Sequence, residues 1–347
     1  MPADAPKASL ALAQIGCVLI GRNEGERFRQ CVESLPAALG AVVYVDSGST
    51  DGSVALARAR GIDVVELDLS IPFTAARARN AGFERLRKTH PELAAIQFVD
   101  GDCSLVPGWV EAAAAALGDS PRRAAVCGWR RERFPERSLY NRFCDLEWIA
   151  GAVGDVGPFG FGGDVLIRSE ALAAVDGYDG SLIAAEDTEL CARLRAQGYQ
   201  MIRIDRPMTL HDADIHRFGQ WWTRSKRAGH ATLEVSRLHR ATGLFARHVR
   251  SITIWGALLP LLFVASPFLL GPLLGPAAIV PLLGIAALYA LQIRRIARSQ
   301  DPARYSPREA LLWGVSCMAS QPPKALGMLD YLWSRLRGRR RTIIEYK

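Results

Sequence analysis

Five acidic residues in a fixed order carry the chemistry open to this chain: Asp46 in VYVDSGSTDGS, Asp100 and Asp102 in FVDGDCSLVPGW, and Glu186 and Asp187 in AAEDTELCARL. Each group lies beyond an apolar run. Acids so placed can hold a nucleotide, a divalent cation and a proton acceptor along one edge of a sheet, because carboxylates accept from ribose hydroxyls and base N–H groups, ligate hard cations and take protons. Asp100-Gly101-Asp102 brackets a glycine at a strand end, where two carboxylates can approach Mg²⁺ or Mn²⁺ already carrying diphosphate oxygens. A plain Asp-Gly turn is the alternative. Glu186 and Asp187 open a helical pattern closed by Gly198, as a catalytic base and its neighbour or as acids favoured by the helix dipole. Asn23 and Glu24 turn a strand into a helix whose free N–H groups either meet an anion or are capped. His211, in MTLHDADIHRF, is either a further metal ligand or a structural histidine, with Asp212 and His216 close enough to compete.

These residues need a scaffold. IGCVLIG, AVVYVD, DVVELD and AAIQFVD read as buried strands, and GERFRQCVESLPAAL, DGSVALARARG and FTAARARNAGFERLRK have apolar residues at helical spacing. Strands alternating with helices predict an α/β domain with a mostly parallel sheet covered on both faces. Ligands bind such sheets beyond the carboxyl ends of the strands, where the polar motifs fall. The domain is expected to span residues 16–240, after a tail of residues 1–15.

The rest of the chain has a different composition. Apolar residues make up 49% of the 347, yet no charged residue occurs between Arg250 and Arg294. At about 1.5 Å per helical residue that stretch crosses a ~30 Å hydrocarbon core twice. Gly271-Pro272 and Gly275-Pro276 predict a turn, giving spans of about 252–271 and 273–293 within a membrane region of 241–347. Arg237, Arg240, Arg247 and Arg250 precede the hairpin and Arg294, Arg295 and Arg298 follow it, so both ends are expected in the cytoplasm, with the catalytic domain facing the cytoplasm from the inner membrane. MPADAPKASLALAQIG has no long apolar run behind a basic start, unlike a signal peptide. Seven cysteines without paired spacing fit a reducing compartment, and Cys103 reads as a packing thiol. The net charge of +8 and the cluster Arg335, Arg337, Arg339, Arg340 and Arg341 point to anionic lipid headgroups and exclude a nucleic-acid reading beside such a hairpin. The segment of about 309–334, interrupted by Pro322-Pro323, Lys324 and Asp330, is expected to be interfacial or re-entrant, because a third span would export the arginines. Trp221, Trp222 and Arg224 suit an interfacial helix that holds a lipid phosphate or anchors in the membrane.

VLIGRNEGE, VDSGSTDGS, ARNAGFE, VDGDCSLVPGW, GFGGDVLIRSEALAAVDGYD and AEDTELCARLRAQGY together resemble the family 2 glycosyltransferases, inverting enzymes of GT-A fold, over about two thirds of the chain. The resemblance implies that Asp46 contacts the donor's base or ribose and that Arg79 lies where the donor diphosphate is approached. It makes Asp100 and Asp102 a DxD-type metal element, and Glu186-Asp187 the pair supplying the base. Gly162, Gly163 and Asp164 then shape the acceptor side. A histidine ligates the metal in some GT-A enzymes, which adds to the reading of His211. Two departures stand out. Ser47 replaces the second acid of the usual Asp-Asp pair, and Gln220-Trp221-Trp222-Thr223-Arg224 only loosely matches the Gln-x-x-Arg-Trp element of processive polymerases.

The expectation is a membrane-bound, metal-dependent glycosyltransferase making single additions. It would move a sugar from a nucleotide-sugar donor to a hydroxyl of a lipid-linked or envelope-polysaccharide acceptor. A polyprenyl-phosphate glycosyltransferase, whose acceptor needs no strong base, and a silent nucleotide-sugar-binding subunit are the alternatives. Intact acids at all three places disfavour silence.

Overall fold

The computed structural model describes residues 10–338; Arg339, Arg340 and Arg341 of the basic tail lie outside them, as do residues 1–9. By packing, the chain divides into two compact units, one formed by residues up to Phe134 and by Gly151–Ala213, the other by Pro135–Ala150 and the residues from Asp214 onward. The sequence places a boundary near 240, ahead of the uncharged stretch. Packing instead divides the chain at Ala213 and adds an excursion, residues 135–150, to the second unit.

The first unit opens with β1 (Ile15–Gly21), α1 (Glu26–Glu33), β2 (Ala41–Asp46), α2 (Ser53–Ala59), β3 (Asp63–Glu66), α3 (Ala75–Thr89) and β4 (Ala95–Asp100). Short β5 (Cys103–Leu105), α4 (Trp109–Gly118) and long β6 (Arg123–Glu132) follow. In β1, six of the seven residues are buried, as a continuous apolar run in a sheet covered on both faces requires. Strands β1 to β4 fall where the apolar runs predict them, and β3-β2-β1-β4 are parallel. Helix α3 starts where the Thr74 hydroxyl accepts from the Arg77 N–H at 3.0 Å, and ends with Arg87 and Lys88 against its dipole.

After the excursion, which holds α5 (Leu139–Trp148), the first unit resumes with β7 (Gly154–Asp155), β8 (Val165–Arg168), α6 (Ser169–Ala174), α7 (Glu186–Ala196) and β9 (Gln200–His211). The sheet order is β3-β2-β1-β4-β8-β6-β9-β5, with β7 paired to β9. It is mixed: β6 and β9 are parallel, while β8 lies antiparallel between β4 and β6. Register sets the chemistry. Gly21 pairs with Asp46 and Ile20 with Asp100, so both acids flank the end of β1. His211 pairs with Cys103 on one side and Glu132 on the other.

The second unit is helical: α5, α8 (Phe218–Leu238), α9 (Ala246–Ile252), α10 (Leu259–Leu274), α11 (Ile279–Arg298), α12 (Pro307–Ala319) and α13 (Gln321–Leu336). Helices α9 and α10 are continuous through a wider π turn at Thr253–Leu258. Helix α10 runs through Gly271-Pro272, and Gly275-Pro276 alone makes the turn to α11, because Gly275 adopts φ +55°. Ala246–Leu273 and Gly275–Arg298 are long and apolar enough to cross a membrane, and only 17% and 6% of their most apolar windows are buried. A core helix of a soluble protein would be mostly covered; here Leu261, Val264, Phe268, Leu269 and Leu273 are 63–78% exposed. Helix α12 begins with a capping box between Ser306 and Glu309 and with Pro307 at its first position. Pro322 and Pro323 fall in the first turn of α13, where a missing N–H costs nothing. Helices α8 and α13 meet backbone to backbone: a Cβ on Gly229 would overlap Lys324, and one on Gly327 would overlap Lys226. Lys226 and Asp330 close the same seam with an ion pair at 2.5 Å.

Candidate active site

The loops after β1 and β2 are stitched together. Asn23, at φ +56°, accepts from the Thr50 N–H at 2.7 Å through Oδ1, and its own N–H donates to Ser49 Oγ at 2.9 Å. Asp51 accepts from the Gly25 N–H at 2.7 Å and from the Ser53 hydroxyl at 2.7 Å. Asp46 is buried, with Oδ1 accepting from the Tyr44 hydroxyl and Oδ2 from the Gly48 and Ser49 N–H groups, all at 2.8 Å. These bonds make Asp46 the anchor of its own loop. Glu24 pairs with Arg27 at 2.9 Å.

Behind these loops lies a buried ion network. Arg79, in the first half of α3 and 2% exposed, donates through Nη1 to Glu186 Oε1 and through Nη2 to Asp100 Oδ1, each at 2.6 Å. Arg130 of β6 reaches Asp164 Oδ2 at 2.8 Å and Asp100 Oδ2 at 3.4 Å. Asp164 is fully buried, accepting the Thr209 hydroxyl at 2.7 Å and the Asp100 N–H at 3.0 Å. Burial pushes the Asp100 carboxyl up, but the Arg79 and Arg130 guanidinium groups more than offset it and hold it below the usual carboxylate range. Burial likewise disfavours the Arg79 cation, yet Asp100 and Glu186 raise its pKa overall. Gly163 is required here for space, since a Cβ would stand 2.5 Å from Asp100 Oδ2 and 2.7 Å from Arg79 Nη2.

Asp102 faces the other way. Its Oδ2 lies 3.3 Å from His211 Nε2, while His211 Nδ1 is 4.0 Å from Glu132 Oε2. One donor atom each from Asp102, Cys103 and His211 falls within 4.8 Å of the others, as do donors from Asp100, Cys103 and Asp164. Burial, followed by Asp164, raises the Cys103 thiol well above its usual range, in keeping with a packing thiol. The remaining oxygen and nitrogen donors have the chemistry that suits Mg²⁺ or Mn²⁺.

Asp187 stands in the first turn of α7, and its Oδ2 accepts the Gly162 N–H at 2.8 Å. Burial and the adjacent Glu186 raise its carboxyl to about 6. The helix is entered through Ala185 in the left-handed region, φ +61°, an uncommon conformation for a residue with a Cβ. A half-buried carboxylate with a pKa near neutrality can accept a proton and release it again.

The first unit thus brings together Asn23, Glu24, Asp46, Arg79, Asp100, Asp102, Gly162, Gly163, Asp164, Glu186, Asp187 and His211. Trp221, Trp222 and Arg224 belong to the second unit. There Trp221 is buried against Tyr140, Phe143 and Phe218, and Arg224 pairs with Glu147 at 2.6 Å. Sequence reasoning missed Arg130, Glu132 and Thr209. The signal for the first two was available in GWRRERF, where charges persist into the end of a strand instead of stopping before it.

A parallel-cored sheet with acids at its carboxyl edge, an Asp-x-Asp turn opposite a histidine and a raised carboxyl at a helix start define a glycosyltransferase of GT-A type. Residues 17–154 match the family model described as Glycosyl transferase family 2. Among solved structures, it is similar to the mannosyltransferase PcManGT from Pyrobaculum calidifontis in complex with GDP-Man and Mn²⁺, with 16% identity, a TM-score of 0.57, and 95% of this chain and 91% of that one covered. It also matches S. aureus TarS 1-349, at 14% identity, TM-score 0.48 and coverage of 94% and 92%. A glucosyl-3-phosphoglycerate synthase from Mycobacterium tuberculosis matches at 20% identity, TM-score 0.42 and coverage of 58% and 71%. At 16% identity the likeness to PcManGT concerns the fold alone. A comparison with curated protein sequences gives no match.

Proposed function

We propose that this chain is a membrane-bound inverting glycosyltransferase that moves a sugar from a nucleotide-sugar donor to a hydroxyl of a lipid-linked or envelope-polysaccharide precursor at the cytoplasmic face of the inner membrane. The observation that carries the reading is Asp187, a carboxylate raised to about 6 and oriented by the Gly162 N–H. A hydroxyl acceptor must lose its proton as it attacks the anomeric carbon, and such a group is suited to take it. Asp102 and His211, with Asp100 beside them, would hold Mg²⁺ or Mn²⁺, whose charge would offset that of the departing diphosphate. Asn23, Ser49 and Thr50 fix the loops that border the donor. A single displacement inverts the anomeric centre.

Membrane placement is supported by the exposed apolar surface of α10 and α11 and by the arginines at both ends of the hairpin. Leu326, Leu329, Trp333 and Leu336 add an exposed apolar stripe on α13 at helical spacing, with Arg337 stacked 4.3 Å over Trp333, as an interfacial helix would have. The test is a panel of nucleotide sugars with membrane lipid extract and Mn²⁺, run on the wild type and on Asp102→Asn and Asp187→Asn. Both variants should be severely impaired. Near wild-type turnover by Asp187→Asn beside an inactive Asp102→Asn would reject the hydroxyl acceptor and leave a polyprenyl phosphate, already ionised at neutral pH.

A further inference from the structure

We infer that Arg79 is a positioning residue that engages Glu186 and ties the base helix to the acidic strand end, and is not a ligand of the donor diphosphate. The inference rests on the reading of Asp187 as base. Both terminal nitrogens of Arg79 are already in 2.6 Å charge-assisted bonds, one to Glu186 and one to Asp100, and the side chain is 3% exposed. Its guanidinium also lies 5.6 Å from the Tyr178 ring centroid. Arg79 keeps further N–H donors, Nε among them without a partner, but with its side chain 3% exposed a diphosphate could reach them only by displacing the groups that cover it and pulling the fork off its two carboxylates. A planar fork is what this task needs, because it holds two carboxylates at a fixed separation, whereas an ammonium is a point charge.

The contacts continue on the far side. Asp100 passes to Arg130, Arg130 to Asp164, and Asp164 to Thr209, two residues before His211 on β9. A chain of ion pairs, completed by the Thr209 hydroxyl donating to Asp164, therefore runs from the first turn of α7 to the strand that presents His211. Within it Glu186 is held by Arg79, which leaves Asp187, bonded to a backbone N–H instead, as the acid open to the acceptor. The titratable and charged groups facing Asp187 are Glu186 and Cys191 of its own helix, Arg79 of α3, Tyr178, and Cys127 of β6.

Two variants of the full-length protein test this. For Arg79→Lys, calorimetric titration with UDP and GDP in Mn²⁺ should give an affinity within about threefold of wild type for whichever nucleotide binds, while kcat falls about 10- to 100-fold. A tenfold or greater loss of nucleotide affinity with kcat retained would make Arg79 a diphosphate ligand and overturn the inference. In Glu186→Gln the amide oxygen still accepts from Arg79, but the charge that raises Asp187 is gone. The acid limb of kcat should move to lower pH, with more than a tenth of turnover kept at the optimum. A loss of 100-fold or more would put Glu186 in proton transfer and also overturn it. If Arg79→Lys does not fold, Glu186→Gln decides alone. If Asp187→Asn proves near wild type, the hydroxyl-acceptor reading fails by itself, and the nucleotide affinity of Arg79→Lys still decides the place of Arg79.

Discussion

Adding one methyl group at Gly163 tests whether the geometry of the ion network controls turnover. The Cβ of Gly163→Ala would lie 2.5 Å from Asp100 Oδ2, 2.7 Å from Arg79 Nη2 and 3.2 Å from Arg130 Nη2. Ordinary contact begins near 3.4 Å, so Asp100 must retreat by roughly 1 Å, and its two arginine partners leave it little room. Overpacking of this kind costs about 1–3 kcal/mol of stability. The kinetic cost should be larger, because misplacing a reacting group by ~1 Å lowers turnover by about 10²-fold. Gly162 supplies the comparison. Its φ of +83° makes Gly162→Ala strained by about 1–2 kcal/mol, but nothing lies within 4 Å of the added carbon. The two variants should thus lose comparable stability in thermal unfolding, while nucleotide release coupled to transfer falls far more in Gly163→Ala. Turnover within twofold of wild type for Gly163→Ala, or a larger loss in Gly162→Ala, would refute the reasoning.

Turnover of wild type should fall as pH drops through about 6, since Asp187 must be ionised to accept a proton, and Asp187→Asn should lose roughly 10²- to 10⁴-fold with donor affinity little changed. Because the fold raises that carboxyl, stability associated with its protonated form is lost as pH rises through about 6, so Asp187→Asn should melt higher than wild type at pH 8 and gain less at pH 4. His211→Ala should weaken donor binding in Mn²⁺ but not in chelator; equal loss in both would remove His211 from the metal site. Labels at Ser9 and Ser299 should report the same side of the membrane, and opposite sides would mean an odd number of spans. Gly327→Val, which drives a side chain into the α8 backbone, should destabilise the helical unit by ~3 kcal/mol or more, read by detergent-resistant melting; a neutral result would exclude the close α8–α13 contact.

What the sequence disclosed was local. The runs at 15–21, 41–46 and 94–100 are short and mostly apolar, and 63–68 sets Val64, Val65 and Leu67 among acids, so the strands and the polar edge beyond them follow from run length and the helical patterns between them. Side-chain direction is not encoded that way. The family resemblance puts Asp164 in the segment that shapes the acceptor side; its carboxylate accepts from Thr209, a partner 45 residues away on β9, which the sequence pattern does not disclose. The family resemblance places Arg79 where the donor diphosphate is approached; that two carboxylates hold it depends on Glu186, 107 residues later. Trp221 is expected on an interfacial helix that holds a lipid phosphate or anchors in the membrane, and the aromatic cluster that buries it comes from Tyr140 and Phe143 in an excursion with no compositional mark.

That excursion bears on how the protein is made. On the ribosome, α5 emerges with Phe143 and Leu146 before any of the helices that cover them exists. The Tyr305 hydroxyl, which donates to the Leu146 carbonyl at 2.6 Å, follows 159 residues later. At ~5–20 residues per second the gap is roughly 8–30 s, long compared with collapse of a small chain, so a nascent chain stalled between residues 214 and 300 should be bound by chaperones at 139–148. A truncation after Ala213 would make that transient exposure permanent.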